Sequence, residues 1–467
     1  MLSKEKHSNR RKFIGDISCA GVGSTAALSS LLNLKLAGSL AAADGQAETD
    51  YRALVCVFLG GGNDSFNMLA PYSGDQRVIY EETRGEIGYP LEDFSSLSGH
   101  GPGDTKLGLH KNMPNLKALY ESGKASFISN VGTLIEPATV AGIQANTVKL
   151  PLGLFSHSDQ SLHWQSGMPE TRNPGSGWGG RMADMLDDLN EVSRISMNIS
   201  LAGINLYQSG VQTTVLSKAS GTIPGITDWS RPGYLPRRKV TSDMMEAQYQ
   251  SIFERAFAAQ MKDAIGASED YRSALESTAP LEAIFTTDNS LSMQLKDVAE
   301  GIAAHENLGK CRQTFFVMAG GWDHHASLDP HPEMLAMLDK AIGEFQNAIT
   351  ELGLVDQVTL FSASEFGRTI TPNGGGSDHG WGGNQFVVGG AVNGGGTYGE
   401  YPDLAVESPL HMTRGRMIPT TSVDEYFAEL ALWMGVARSD LGEVLPNLHR
   451  FWDQSGGGHP LGFMSEG

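Results

Sequence analysis

Apolar runs that lead, directly or through glycines, to acidic residues or histidine constrain this chain most. One run, at 313–319, is separated by two glycines from Trp-Asp-His-His. The run 53–59 leads into three glycines, and the run 358–364 leads into Glu-Phe-Gly-Arg. Ligands of open α/β folds bind beside the carboxyl ends of buried strands. The pattern predicts a functional site there, with these first candidates: Asp64, Asp323, His325 and Glu365.

The order of strand and helix patterns predicts an α/β fold. Strands are predicted near 53–59, 125–131, 195–201, 313–319, 357–363 and 385–390, and helices near 113–122, 242–267, 291–307, 332–352 and 423–434. The helix 332–352 separates two apolar strands, and such a βαβ unit requires those strands to be parallel. We expect a mostly parallel sheet with helices on both faces. One domain is predicted for 44–467, with an inserted helical subregion around 217–308.

The first 43 residues are predicted to be an export signal rather than part of the fold. Arg10 and Arg11 begin a twin-arginine pattern, a moderately apolar stretch follows, and three alanines at 41–43 offer a cleavage site. A membrane anchor is the alternative, but Asn33 and Lys35 interrupt the stretch before it reaches the ~20 apolar residues of a spanning helix. The protein is therefore expected in the periplasm or outside the cell, without an integral span after cleavage.

Charge excludes some partners. The chain has 34 Lys and Arg against 53 Asp and Glu, a net charge of −19. Because the export segment holds six of the bases and two of the acids, the rest carries −23. Such a surface argues against nucleic acid and anionic membranes as partners. It leaves a small-molecule or polymer substrate open, and it does not fix the oligomeric state.

Asp323 and His325 are the first candidate metal ligands. Carboxylate and neutral imidazole both bind Zn²⁺ and similar ions. Along an extended segment, alternation would place Asp323 and His325 on one side and His324 on the other. Asp64 follows the glycines after the first strand, where the backbone can approach an ion closely. Hydrogen-bonded loops without a metal are the alternative for each of these residues.

The segment 365–380 adds further candidates. Glu365 ends a strand and offers a carboxylate, while Asp378 and His379 lie in a glycine loop that can fold back to the sheet edge. Arg368 cannot bind a metal, but its planar guanidinium suits an anionic oxygen. A surface salt bridge is the alternative for Arg368.

A dense polar segment at 155–165 offers a nucleophile. Ser156 or Ser158 would be activated by a metal, since a hydroxyl is weak without a base or a cation. His157 lies between them and is counted with the catalytic residues. Helix N-capping is the alternative role for these serines. A Gly-x-Ser-x-Gly elbow is absent from the sequence, which argues against an α/β-hydrolase triad.

These motifs together resemble the bacterial family called domain of unknown function 1501. The resemblance is carried in order by Gly-Gly-Asn-Asp-Ser-Phe-Asn, Phe-Ser-His-Ser-Asp-Gln, Gly-Trp-Gly-Gly-Arg-Met-Ala-Asp, Gly-Gly-Trp-Asp-His-His, Ser-Glu-Phe-Gly-Arg-Thr, Ser-Asp-His-Gly and Gly-Arg-Met-Ile-Pro-Thr-Thr-Ser. It covers nearly all of the chain after the export signal. Members are often labelled sulfatase-like, and the family is similar to the alkaline phosphatase superfamily. That likeness implies a three-layer α/β/α sandwich and a two-metal hydrolytic site.

Carried over residue by residue, the resemblance implies a role for each candidate. Asp64 would be the early ligand and Ser156 the nucleophile, whereas Asp323 and His325 would form the later ligand pair. Glu365 would replace a strand-end aspartate, and His379 would be the final histidine, with Asp378 beside it. The implied cofactor is one or two divalent ions, Zn²⁺, Ca²⁺ or Mg²⁺.

Two departures from that pattern bear on function. The strand-end pair should read Asp-His, but this chain has Phe366 after Glu365, and phenylalanine cannot bind a metal. The chain also has no Cys-x-Pro-x-Arg sequence, which argues against formylglycine sulfatase chemistry. Two hypotheses follow. The protein is an exported metal-dependent hydrolase of phosphate or sulfate esters, or it is a non-catalytic exported binding protein or cell-surface protein that keeps the hydrolase fold.

Overall fold

The structure, a computed structural model, describes residues 50–100, 106–191, 194–222 and 232–465. The predicted export signal at 1–43 lies outside these residues. The strands are β1 Arg52–Gly60, β2 Leu69–Pro71, β3 Phe94–His100, β4 Lys106–His110, β5 Ala125–Gly132, β6 Asn198–Ser200, β7 Val215–Ser217, β8 Arg312–Gly320, β9 Val358–Ser364, β10 Gly383–Val388, β11 Thr397–Tyr398, β12 His411–Met412, β13 Arg416–Met417 and β14 Thr421–Ser422.

Helices separate most of these strands. The helices are α1 Ser65–Met68, α2 Asp75–Arg84, α3 Pro114–Glu121, α4 Val140–Gln144, α5 His157–Ser166, α6 Trp178–Leu186, α7 Leu235–Glu246, α8 Ile252–Glu276, α9 Ser290–Ala303, α10 His331–Glu351, α11 Val423–Met434 and α12 Leu441–Val444. The six predicted strands are confirmed. The predicted helix 242–267 is wrong in its extent. The helical conformation is interrupted at 247–251, and the Ser251 side chain caps the new helix α8 by accepting a hydrogen bond from the amide of Glu254.

A mostly parallel sheet forms the centre of the fold, as predicted. Within the described residues it has nine strands, in the order β11-β5-β10-β9-β1-β8-β6-β7, with β14 also paired to β5. Strand β1 lies between β8 and β9 and is parallel to both. Strand β10 is antiparallel to β9 and β5. The register aligns Gly60 with Gly320, and Leu59 with Ser364, so three strands end side by side.

Both faces of the sheet are buried, which makes the fold a three-layer α/β/α sandwich. Residues of β1 alternate between two hydrophobic cores, with Val55 and Val57 in one and Leu54 and Phe58 in the other. Helices α3, α9 and α10 cover the first face, and α6, α11 and α12 cover the second. Each large side chain so buried contributes about 1.5–3 kcal/mol, so the two cores hold the strand ends in fixed positions. The predicted fold class is confirmed.

The described part of the region 217–308 contains two segments that differ in burial. Helix α7 and the first turn of α8 are exposed, and Phe253 is 84% accessible. Helix α9 instead packs against β8 and α10, with Leu295 and Val298 fully buried. In the described part of the chain, the structure contains no helix that is both long and apolar enough to cross a membrane.

Candidate metal centre

The carboxyl ends of β1, β8 and β9 bring the candidate side chains to one edge of the sheet. Glycines make this approach possible. A Cβ on Gly61 would lie 2.6 Å from the backbone nitrogen of Asp323, and the φ of Gly61 is +119°. Only glycine tolerates that conformation and that contact together. The end of β1 can therefore approach the segment after β8 closely.

Three side chains form the centre of the site. His157, Asp323 and His379 each offer one ligand atom, and these atoms lie within 4.8 Å of one another. His157 Nε2 lies 3.4 Å from Asp323 Oδ2, and His379 Nε2 lies 3.3 Å from Asp323 Oδ1. His157 comes from the first residue of α5, Asp323 from the end of β8 and His379 from the loop before β10. The structure thus adds His157, expected among the catalytic residues, to the candidate ligands.

His325 joins this group from the same segment as Asp323. Its Nε2 lies 2.8 Å from His379 Nε2 and 3.1 Å from Asp323 Oδ1. His324, between them, is only 6% exposed and points the other way. The predicted alternation along this segment is confirmed. Asp323, His325 and His379 thus converge as the sequence predicted.

The orientation of His379 is fixed by its neighbours. Its Nδ1 lies 2.7 Å from the carbonyl oxygen of Phe155. Because a carbonyl only accepts, Nδ1 carries the proton and Nε2 presents a lone pair to the cluster. Burial lowers the pKa of His379, while the hydrogen bond to Phe155 raises it. The His379 ring also stacks on the ring of Phe366, with 4.6 Å between the ring centres, and the ring centre of Phe366 lies 5.0 Å from that of His157.

Arg368 holds Asp323 rather than facing solvent. The arginine is fully buried, and its Nη1 donates to Asp323 Oδ1 at 2.6 Å and to the carbonyl of Gly61 at 3.2 Å. Its Nη2 and Nε donate to Ser377. Partial burial raises the pKa of Asp323, but the hydrogen bond and charge of Arg368 lower it overall. The predicted anion-binding role of Arg368 is thus corrected, because protein oxygens already occupy its guanidinium.

Two more carboxylates flank the histidines. Glu365 is 7% exposed, and its Oε2 accepts the amide of Gly61 at 2.5 Å. Its Oε1 lies 3.6 Å from His157 Nδ1. Burial raises the pKa of Glu365, and the hydrogen bond from Gly61 lowers it in part. Glu365 therefore contacts the cluster through His157.

Asp378 lies on the other side of the cluster. Its Oδ1 is 3.2 Å from His325 Nδ1 and accepts from Asn373 Nδ2 at 2.9 Å. The hydrogen bond from Asn373 lowers the pKa of Asp378, although desolvation opposes it. Since Asp378 contacts the far nitrogen of His325, it orients that ring with Nε2 toward the centre.

Asp64 stands apart from this group. Its Oδ2 makes an ion pair with Arg84 Nη2, and both side chains are fully buried. Arg84 also donates to the carbonyl of Thr369 at 3.0 Å. Asp64 Oδ1 has no hydrogen-bond partner in the part of the chain that the structure describes. Arg84 occupies only one oxygen of Asp64, and Asp64 lies outside the cluster of His157, Asp323 and His379, so its role as a metal ligand stays a prediction.

Ser156 is the N-cap of α5. Its Oγ accepts from the amide of Asp159 at 3.5 Å and lies 3.1 Å from Ser158 Oγ. The capping alternative is therefore present in the structure. Ser156 is nevertheless covalently next to His157, so the start of α5 places a hydroxyl-bearing residue beside the cluster.

The donor set fits a divalent metal. Three imidazoles and a carboxylate are the ligands of zinc-like ions, whereas Ca²⁺ and Mg²⁺ prefer oxygen alone. The lone pair of His379 Nε2 and the oxygens of Asp323 point into the same space. The cluster therefore offers the nitrogen and oxygen donors that a divalent ion needs.

Sequence reasoning missed several residues that shape this centre. Phe155 contributes only its carbonyl, Phe366 packs two imidazoles, and Arg84 neutralises Asp64. The backbone of Phe155 has a φ of +73°, which is uncommon outside glycine. Its place in a polar motif was the available signal, but a carbonyl direction cannot be read from residue type.

The chain belongs to the protein family of unknown function DUF1501, whose model matches residues 51–446. Among curated proteins, none matches. A sulfatase from Pseudoalteromonas sp. resembles the structure at 9% identity and a TM-score of 0.34, covering 88% of this chain and 73% of that one. The phosphonate monoester hydrolase of Agrobacterium radiobacter resembles the structure at 9% sequence identity and a TM-score of 0.32, and the match covers 83% of this chain and 74% of that one. Sequence identities and TM-scores this low do not identify the chemistry of the site, which depends on this chain's own residues.

Proposed function

We propose that this member of the family is an exported metal-dependent hydrolase of phosphate or sulfate esters. One observation carries the proposal: His157, Asp323 and His379 converge within 4.8 Å at the carboxyl edge of the sheet. Three such donors leave at least one coordination position free for a substrate, as catalytic zinc sites do. Bound there, the metal would polarise an ester and offset the charge that develops on it.

The residues at this edge of the sheet have separate proposed roles. His157, Asp323 and His379 hold the ion, and His325 Nε2 lies beside His379 Nε2 at 2.8 Å. Arg368 and Asp378 orient Asp323 and His325, respectively. Glu365 is buried with its pKa raised, which suits a group that donates or accepts a proton in the reaction. Glu365 contacts His157, which links it to the centre.

Ser156 is the proposed nucleophile. Its position beside His157 supports this role, and its capping contact does not remove the hydroxyl. In the reaction, Ser156 Oγ would attack the ester phosphorus or sulfur and lose its proton, the alcohol would leave carrying a proton, and water would later release the acid and restore the hydroxyl. If water attacks directly, Ser156 keeps only its capping function.

The decisive experiment combines metal content with turnover. Protein expressed with its own export signal is assayed for Zn, Ca and Mg, and then against phosphomonoesters, phosphodiesters and sulfate esters. His379→Ala should lose both the ion and activity, whereas His449→Ala, an exposed histidine, should lose neither. A wild type that folds without any bound divalent metal would refute the proposal.

The nucleophile is tested separately. Ser156→Ala should abolish turnover with the metal content unchanged, and Ser158→Ala tests the other hydroxyl of the same helix turn. Full activity of both variants would assign the attack to water.

A binding protein without catalysis is the second candidate. The observations that favour it are specific. Phe366 replaces a ligand of the related hydrolases, Asp64 is paired with Arg84, and Arg368 is fully committed to protein oxygens. Metal-loaded protein that turns over none of the three ester classes would favour this function.

Export remains part of the proposal, with the protein in the periplasm or outside the cell. Replacing Arg10 and Arg11 by lysines should retain the protein in the cytoplasm with residues 1–43 attached. Normal amounts of the doubly substituted protein outside the cytoplasm would contradict the twin-arginine prediction.

A further inference from the structure

Two arginines lie beside the candidate centre in the hairpin of β12 and β13. Arg416 Nε donates to the carbonyl of His379 at 3.2 Å, and its guanidinium lies 3.8 Å from the centre of the Phe155 ring. His379 and Phe155 are the same two residues whose hydrogen bond fixes the imidazole in the cluster. Arg416 is therefore in direct contact with the wall of the site.

Arg414 places a second positive charge next to it. Its φ is +67° and its ψ is +28°, a left-handed conformation that costs a non-glycine residue about 1–3 kcal/mol. The residue is exposed, and its charge lowers the pKa of Arg416 after the larger effect of burial. The hairpin thus keeps two like charges close together.

This pair has no salt-bridge partner in the described residues, although the charge of Asp378 acts on Arg416 from a longer distance. In the described residues, neither Arg414 nor Arg416 forms a salt bridge, although the chain has 53 Asp and Glu against 34 Lys and Arg. Arg416 uses only Nε in a hydrogen bond to the protein, so its two amino groups have no protein partner there. Adjacent cations that an acidic protein leaves unneutralised at a site favour an anionic ligand.

We propose that Arg414 and Arg416 form an anion subsite that binds a second negative group of the substrate, separate from the ester at the metal centre. This inference rests on the proposed function and narrows its substrate class. The preferred substrate would be an ester whose alcohol part carries another sulfate, phosphate or carboxylate. Guanidinium groups bind all three anions through paired N–H donors, so the subsite specifies charge and spacing rather than one acid.

The subsite can be tested by binding, without turnover. Wild type and the double variant Arg414→Ala/Arg416→Gln are titrated calorimetrically with a disulfated disaccharide, a digalacturonate and inorganic phosphate. The double variant should bind the two dianionic saccharides at least about tenfold more weakly, and wild-type affinity should fall with added salt. Arg237→Ala, an exposed arginine on α7, is the control and should leave the affinity unchanged.

Each outcome decides a different question. Equal affinity of wild type and double variant for both saccharides would overturn the subsite, even if the protein hydrolyses simple esters. Arginine-dependent binding without hydrolysis would support the subsite while the proposed function fails. To exclude a folding defect, Arg416→Lys should keep the unfolding midpoint of wild type and bind the saccharides with intermediate affinity.

Discussion

A substitution in the buried pair of Asp64 and Arg84 can distinguish a structural role of Asp64 from a metal-binding role. Both side chains are fully buried and joined by an ion pair, so removing one charge leaves the other uncompensated. Such a change costs about 3–5 kcal/mol, a large part of the ~5–15 kcal/mol that stabilises a folded domain. Asp64→Asn keeps the shape and removes the charge. We therefore expect a loss of that size with no change in metal content.

The assay must keep stability and metal apart. Urea unfolding is followed by tryptophan fluorescence on protein treated with a chelator, and the metal content is measured on untreated protein. Lys239→Ala is the control, because Lys239 and Asp243 are 75% and 60% exposed and such pairs contribute at most ~1 kcal/mol. The double variant Asp64→Leu/Arg84→Met should regain part of the stability lost by Asp64→Asn. Loss of the metal in Asp64→Asn with an unchanged unfolding free energy would refute the reasoning.

Two further predictions concern acid stability and packing at the centre. Burial lowers the pKa of His163 to about 4, against 6.5 for an ordinary histidine. Between these two pH values, the histidine of the unfolded chain binds a proton that the folded chain does not bind. The contribution of His163 to the unfolding free energy should therefore be fully present above pH 6.5 and should fall by about 3 kcal/mol as the pH drops toward 4. The variant His163→Gln should flatten this part of the pH profile of the unfolding free energy. Gly62→Ala should cost about 3 kcal/mol or more and weaken metal binding, because its Cβ would lie 2.4 Å from the Phe366 ring at a φ of +87°. Gly123→Ala, with φ +75° and open space, isolates the backbone strain and should cost only about 1–2 kcal/mol, as measured by urea unfolding.

Periodicity predicted most of the sheet because its strands are buried on both faces. Runs such as 313–319 are continuous apolar stretches that end in glycine, and the structure confirms them to within about three residues. The helix α11 was equally readable, since Ser422 and Glu425 form a capping box and Gly435 ends the helix. The break between α7 and α8 was missed because apolar periodicity continues across it and only Ser251 marks the new start.

The site was predictable where residue type alone decides chemistry. Asp323, His325 and His379 were predicted to converge because the first two follow a buried strand and the third lies in a glycine loop that can fold back to the sheet edge. Arg368 and Asp64 were assigned by type as well, but their roles depend on partners distant in sequence. Arg84 lies 20 residues from Asp64, and Asp323 lies 45 from Arg368. No local pattern encodes which buried charge meets which, so these two assignments needed the fold.

The same two ion pairs bear on how many ions the site can hold. A two-metal site needs a second set of ligands, and the resemblance supplied it through Asp64 and a histidine at position 366. The chain has a phenylalanine there, and it pairs Asp64 with Arg84 in a fully buried contact. The phenylalanine instead packs against His157 and His379, and so stiffens the ligands of the remaining centre. Both changes act in one direction, because each leaves fewer ligands for a second ion. The arrangement therefore favours the proposed single, histidine-rich centre over a two-metal site.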